Sequence, residues 1–225
     1  MMNKDLFGVP IYKDRFEEHQ EYKQKFLDFC GQEEIYSKNS RNPAVLQLSH
    51  PNLHKEAIFN PLVNFFKIKI AEAFVDMGFV PSFEITSMWS TRQPRGGNHH
   101  RHLHYNTFLA GVYYLDGVDN TSGTRFFCPY TQHRVIYPTR IDNTPTKIRN
   151  NFMVPFDEGS LIMFPAWLEH TTDRNPNEDP RTVIAFNVMP IGKTNADPYD
   201  RYNYSSVEDK DMVSHLSDLY KPFVG

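Results

Sequence analysis

The segment NHHRHLHYNTFLAGVYY (Asn98–Tyr114) carries four histidines within six positions, directly ahead of an apolar, β-branched and aromatic run. His100, His102 and His104 are spaced by two and so share one face of an extended chain. Imidazole is the commonest protein ligand for metal ions, and this spacing gathers several donors at the mouth of a strand. A further histidine closes GSLIMFPAWLEH (Gly159–His170), and Arg181 follows it. An open non-haem iron site needs protein ligands on one side and vacant positions on the other. His102, His104 and His170 are the candidate metal ligands. Arg181 is the candidate anion anchor: a small dicarboxylate that chelates the metal by one end offers its other carboxylate to a guanidinium, whose fork suits bidentate binding. The four together are the candidate catalytic set for oxygen-activating iron chemistry.

Each residue alone has a plainer reading. His99–His104 suits a histidine-rich surface loop, His170 a hydrogen-bonded core position, and Arg181 a surface cation at a strand start. Their spacing argues for the joint reading. Asp173–Pro180 has the composition of a hairpin connection, which would set the strand ending near Thr172 opposite the one starting at Arg181, ~4.5–5.5 Å apart. Asn106 lies two positions past His104 and shares its face if the chain stays extended, making it a candidate for binding cosubstrate or substrate. Of Tyr113 and Tyr114, one is expected in the core and the other outward; Tyr114 is the candidate to assist the cosubstrate. His99 and His100 read as solvated or outer groups, and Trp89 as core.

These residues need a rigid frame. From Pro81 onward the chain alternates short strands with turn clusters: Ser82–Ser90, Thr107–Leu115, Gly123–Cys128, His133–Tyr137, Lys147–Val154, Gly159–Phe164, Ala166–Thr172 and Arg181–Met189. Such a series predicts a mainly β fold with flanking helices, a double-stranded β-helix of the jelly-roll, cupin-like kind. Upstream, Leu6–Arg15 reads as a strand. A helix follows from Asn60 as cap, with Pro61 at its first position, to Met77, and Gly78 ends it. Ser206–Tyr220 reads as a final helix. One domain over residues 1–225 is expected, with a mixed part over 1–80, the jelly-roll core over 81–191 and a C-terminal extension over 192–225.

The ordered motifs resemble the 2-oxoglutarate/Fe(II)-dependent oxygenase superfamily, most of all its small oxygenases from bacteria and phages with a prolyl-hydroxylase-like jelly roll. They are Met88-Trp89, His102-x-His104, Leu109–Tyr114, Gly159-Ser160-Leu161, Phe164-Pro165, His170, and Arg181 leading into Phe186-Asn187. Leu6-Phe7 and the Leu53 to Leu62 region match more weakly. The resemblance implies Fe(II) at His102, His104 and His170, and 2-oxoglutarate on Arg181. O2 would be consumed and a second substrate hydroxylated, with release of succinate and CO2. One departure stands out: the superfamily's usual second ligand is Asp or Glu, and here that place holds His104. Either His104 ligates, or water completes the site, or an acid elsewhere does, with Asp116 ahead of Glu169.

The totals exclude several other classes. A net charge of −3 without a basic stripe gives no sign of nucleic acid binding. No apolar run reaches the ~20 residues that span a bilayer. The N-terminus lacks a secretory pattern, and Cys30 and Cys128 form no disulfide framework, so a cytoplasmic protein is expected. The expected partner is a small-molecule or peptide substrate, and edge strands would permit a homodimer. Two rival functions stay open: a three-histidine cupin-type dioxygenase that does not use 2-oxoglutarate, and a non-catalytic jelly-roll binding module.

Overall fold

The computed structural model describes residues 8–32, 46–118, 120–130, 139, 149–194 and 202–204. The expected strand His133–Tyr137 and helix Ser206–Tyr220 lie outside them. Eleven strands and two α-helices are described: β1 Tyr12–Arg15, α1 His19–Cys30, β2 Gln47–Leu48, α2 Asn60–Asp76, β3 Phe83–Gln93, β4 Leu109–Asp116, β5 Thr124–Phe127, β6 Asn151–Val154, β7 Ser160–Pro165, β8 His170–Thr171, β9 Arg181–Pro190, β10 Gly192–Thr194 and β11 Tyr202–Tyr204. No helix among the described residues is long and apolar enough to cross a membrane.

The strands form a six-stranded sheet in the order β1-β7-β4-β9-β3-β2, a three-stranded sheet β6-β5-β8 and the pair β10-β11. Every strand pairing is antiparallel. From β4 onward the chain passes to the small sheet for β5 and β6, returns for β7, crosses again for β8, and comes back for β9. This path is consistent with a jelly roll, although the ladders of the described strands do not join the two main sheets into a closed barrel.

The large sheet is the middle layer, which explains why its central strands are apolar at consecutive positions. Leu109 and Tyr113 of β4, Leu161 and Met163 of β7, and Ile184, Phe186 and Val188 of β9 join one core with Phe26 of α1 and Phe66 and Ile70 of α2. Their alternates, Ala110, Val112, Tyr114, Ile162, Phe164 and Val183, join a second core with Phe126 and Val154 of the small sheet. Period-two alternation thus sends one set toward the helices and the other toward the small sheet. Gly111 permits the closest approach on the helix side. A Cβ there would lie 2.1 Å from the Phe186 ring, which stacks on Phe66 at 4.4 Å.

The helices differ from expectation in detail. α2 begins with Asn60 already helical and without a side-chain cap, Pro61 sits in its first turn, and Gly78 at φ +82° terminates it. α1 was not anticipated, yet His19, Phe26 and Cys30 lie along one buried face of it. The expected strand Ala166–Thr172 shortens to His170–Thr171, because Ala166–Leu168 makes a turn closed by the Leu168 N–H on Pro165 O at 2.9 Å.

Candidate metal centre

That turn brings the two histidine-bearing segments together. His170 and His102 exchange backbone hydrogen bonds of 2.9 and 3.0 Å, and the His104 N–H donates to Ala166 O at 3.0 Å. Two stretches far apart in sequence are thereby zipped edge to edge. The ring centroids of His102 and His170 are 4.2 Å apart, those of His104 and His170 5.2 Å, and those of His102 and His104 5.3 Å. One ligand atom from each of the three lies within 4.8 Å of those of the others.

The outer hydrogen bonds orient each ring. His102 Nδ1 donates to His100 O at 2.6 Å, His170 Nδ1 to Leu168 O at 3.0 Å, and His104 Nδ1 to Asn187 Oδ1 at 2.6 Å. A carbonyl oxygen can only accept, so each Nδ1 carries the proton and each Nε2 keeps a free lone pair. That is how metal-binding histidines are commonly held. Burial, reinforced by the charge of neighbouring imidazoles, lowers the pKa of all three, with His170 brought down to about 3. They are neutral near pH 7, the form that a metal requires.

Arg181 reaches this centre by a route other than the expected hairpin. β8 pairs with β5, whereas β9 pairs with β3 and β4, so Arg181 stands opposite Gln93 in the other sheet. The 173–180 connection crosses the sandwich instead of closing a hairpin. The guanidinium nevertheless lines the same cavity as His102, His104 and His170, together with Trp89 and His99. It is 2% exposed, and no carboxylate pairs with it among the described residues. Nε donates to Ser122 O at 2.7 Å and Nη1 to Gln93 Oε1 at 3.5 Å, while Nη2 has no partner. Burial lowers its pKa to about 10, partly offset by Tyr114. A buried cation with a spare donor is costly unless an anion joins it.

The remaining candidates divide. Tyr114 and Tyr113 are both buried, because β4 is covered on both faces. Tyr114 donates to Thr124 Oγ1 at 2.8 Å, and its ring lies 5.6 Å from the Arg181 guanidinium. Asn106 is exposed in a turn at φ +52° and does not line the cavity. The chain leaves the extended conformation after His104, and with it goes the shared face on which that assignment depended. Trp89 lines the cavity instead of filling the core, its ring 6.1 Å from that of His104. His99 lines it too, whereas His100 is exposed.

Gln93 and Asn175 were not singled out from sequence, and Asn187 entered only as part of the Phe186-Asn187 motif. Gln93 is fully buried and donates to Gly97 O and Asp173 O while accepting from Thr172 and Arg181. Asn175 donates to Gln93 O at 3.0 Å. Asn187 falls on the same sheet face as Arg181 by period two, a signal that counting from Arg181 would have found.

With this geometry in view, a family model described as "Putative 2OG-Fe(II) oxygenase" matches residues 87–187, a span that includes all three histidines and Arg181. This segment, a little under half of the chain, is what the protein shares with that family. Solved structures share its fold at low identity. The epimerase SnoN, in complex with Fe3+, alpha ketoglutarate and nogalamycin RO, aligns at TM-score 0.62 and 14% identity over 89% of this chain and 92% of its own. HygX from Streptomyces hygroscopicus, with nickel and 2-oxoglutarate bound, aligns at 0.56 and 13% over 81% and 83%. A Pseudomonas putida prolyl-4-hydroxylase aligns at 0.53 and 11% over 81% and 93%. No curated protein matches the chain.

The histidine cluster includes no carboxylate among the described residues. Asp116 is ion-paired with Lys23 of α1 at 2.7 Å, and Glu169 is engaged by Arg101. Neither acid belongs to the histidine cluster. Cys30 and Cys128 form no disulfide, and burial pushes the Cys30 thiol up to about 11.

Proposed function

We propose that the chain is an Fe(II)-dependent oxygenase in which His102, His104 and His170 hold the metal and Arg181 binds a carboxylate of the molecule that reacts there. One observation carries this reading. Three imidazoles, His170 buried and His102 and His104 half-buried, commit Nδ1 to outer acceptors and leave Nε2 free, beside a buried guanidinium with an unpartnered N–H. That set fits a metal and an anion in one cavity. Bound Fe(II) supplies the activation of O2. The protein orients the imidazoles through His100 O, Leu168 O and Asn187, anchors the anion on Arg181, and keeps the reacting groups from bulk water between its two sheets.

Two readings of the anion share this centre. In the first it is 2-oxoglutarate, and oxidation of the cosubstrate to succinate and CO2 accompanies hydroxylation of a small-molecule or peptide substrate. The spare Arg181 donor supports it. In the second, a three-histidine dioxygenase acts directly on a carboxylate-bearing substrate without 2-oxoglutarate. The all-imidazole donor set supports that one, since a metal held by neutral ligands keeps its full charge.

An anaerobic Fe(II) titration followed by O2 exposure with 2-oxoglutarate separates them. Stoichiometric succinate release supports the first reading. Tight Fe(II) binding with no 2-oxoglutarate consumed supports the second. A protein that binds no Fe(II) is a non-catalytic module, and both readings fall.

A further inference from the structure

His99 is the fourth imidazole of the cavity. Its ring centroid lies 3.9 Å from that of His102, closer than any two of the three ligand rings approach each other. It does not belong to the group whose donor atoms converge. Among the described residues its ring nitrogens have no hydrogen-bond partner, which sets it apart from His102, His104 and His170, each tied down at Nδ1.

Its backbone, by contrast, is held firmly. The His99 N–H donates to Thr172 Oγ1 at 2.9 Å, and His99 O accepts from Thr171 Oγ1 at 2.6 Å and from the Thr172 N–H at 3.3 Å. Thr172 Oγ1 donates in turn to Gln93 Oε1 at 3.1 Å, the same oxygen that accepts from Arg181. One buried glutamine therefore ties the placement of His99 to that of the anion anchor. A residue whose backbone is fixed this way, with its ring nitrogens unused and lining the cavity, is placed to donate to a ligand bound there.

We infer that His99 donates a hydrogen bond to the metal-chelating carboxylate of a 2-oxo acid, while Arg181 grips the carboxylate at its far end. The inference rests on the 2-oxoglutarate reading and adds to it a second, independent hold on the cosubstrate. Pyruvate distinguishes the two holds, since it keeps the chelating end and lacks the distal carboxylate.

The test is an anaerobic titration of Fe(II)-loaded protein with 2-oxoglutarate and with pyruvate, following the charge-transfer absorption that a 2-oxo acid produces on chelating Fe(II). His99→Phe, which keeps a flat ring and removes the N–H, is expected to weaken both acids by about ten- to hundredfold, the loss of one hydrogen bond to a charged group. Its Fe(II) affinity is expected to stay at the wild-type value. His99→Gln, which retains an N–H, recovers most of the loss. Arg181→Met weakens 2-oxoglutarate and leaves pyruvate unchanged. His99→Ala carries the same comparison if the phenyl ring prevents folding. The inference is overturned if His99→Phe binds both acids like wild type, if it loses Fe(II) as a ligand variant would, or if His99→Gln is as impaired as His99→Phe. Wild-type protein that loads Fe(II) but binds neither acid removes the 2-oxoglutarate reading and this inference together.

Discussion

A buried histidine, His19, and the cluster of His102, His104 and His170 lie on opposite faces of the large sheet, and Tyr113 and Tyr114 of β4 point one to each. On the helix face, His19 uses both ring nitrogens: Nε2–H donates to Glu158 Oε1 at 3.1 Å, and Nδ1 accepts from the Tyr113 hydroxyl at 2.5 Å. Lys23 bridges Glu158 and Asp116 at 2.8 and 2.7 Å, so every charge has a partner. On the inner face, His102, His104 and His170 each use one nitrogen, and Arg181 leaves Nη2 unused. The first arrangement is what a structural histidine needs, because an unmade buried hydrogen bond is expensive. The second is incomplete in the same way at four residues around one cavity. Incompleteness, more than the presence of histidine, separates a binding site from a satisfied core.

The comparison breaks most completely at His170. His170→Ala is expected to lower Fe(II) affinity by more than the roughly 10–100-fold that loss of an outer-shell partner costs, and to abolish turnover. An anaerobic Fe(II) titration reads it, and unchanged binding would remove the site. His19→Ala should leave Fe(II) binding intact.

Acid sharpens the contrast next. Burial, then the charges of neighbouring imidazoles, bring His99 and His170 down to about 3, and lower His102 and His104 as well. An unfolded histidine titrates near 6.5. Between those values the unfolded chain binds more protons than the folded one, so stability rises with pH. Metal-free protein should therefore lose stability steadily as pH falls from about 6.5 toward 3. Urea midpoints across that range measure it, and His170→Leu should flatten the slope. A midpoint independent of pH would mean that these imidazoles are not held neutral.

Arg181 and His19 are the matched pair. Arg181→Met removes an unpaired buried charge, so 2-oxoglutarate affinity should fall by about 100-fold while the unfolding midpoint holds or rises. His19→Leu leaves the buried Tyr113 hydroxyl without its partner and Glu158 held by Lys23 alone, and should cost about 1–3 kcal/mol of stability with cosubstrate affinity unchanged. Denaturant melts and the 2-oxo acid titration, run on both variants, should give opposite patterns. Equal destabilisation would erase the distinction drawn between the two faces.

How far the sequence foretold this varies with the kind of force involved. The central strands were legible within a few residues, because a sheet covered on both faces needs continuous apolar runs such as Leu109–Tyr114 and Ser160–Pro165. The converging histidines were legible because each carries its chemistry in its side chain. α1 was missed, although Tyr22, Phe26 and Cys30 recur at helical spacing; its many charged residues diluted the signal. The path from His170 to Arg181 was misjudged because a turn-rich segment looks the same whether it closes a hairpin or crosses between sheets. Asn106 was misplaced because asparagine tolerates the left-handed region, and one such residue redirects everything after it.

Asn187 supplies the finest discrimination, since it touches the centre only through His104. Its Oδ1 accepts the His104 Nδ1–H at 2.6 Å, opposite a register shift between Ile85 and Ser87 in the neighbouring strand. Bulges of this kind re-aim side chains beside functional sites. If His104 ligates, losing that acceptor frees the ring to rotate and removes the preference for its metal-ready tautomer. Asn187→Leu, close in volume, should then weaken Fe(II) by about tenfold, whereas Asn187→Asp, which keeps the acceptor, should bind at least as well as wild type. If water or an acid completed the site in place of His104, neither variant would change Fe(II) affinity. The pair of titrations thus decides whether the third imidazole is a ligand or a neighbour.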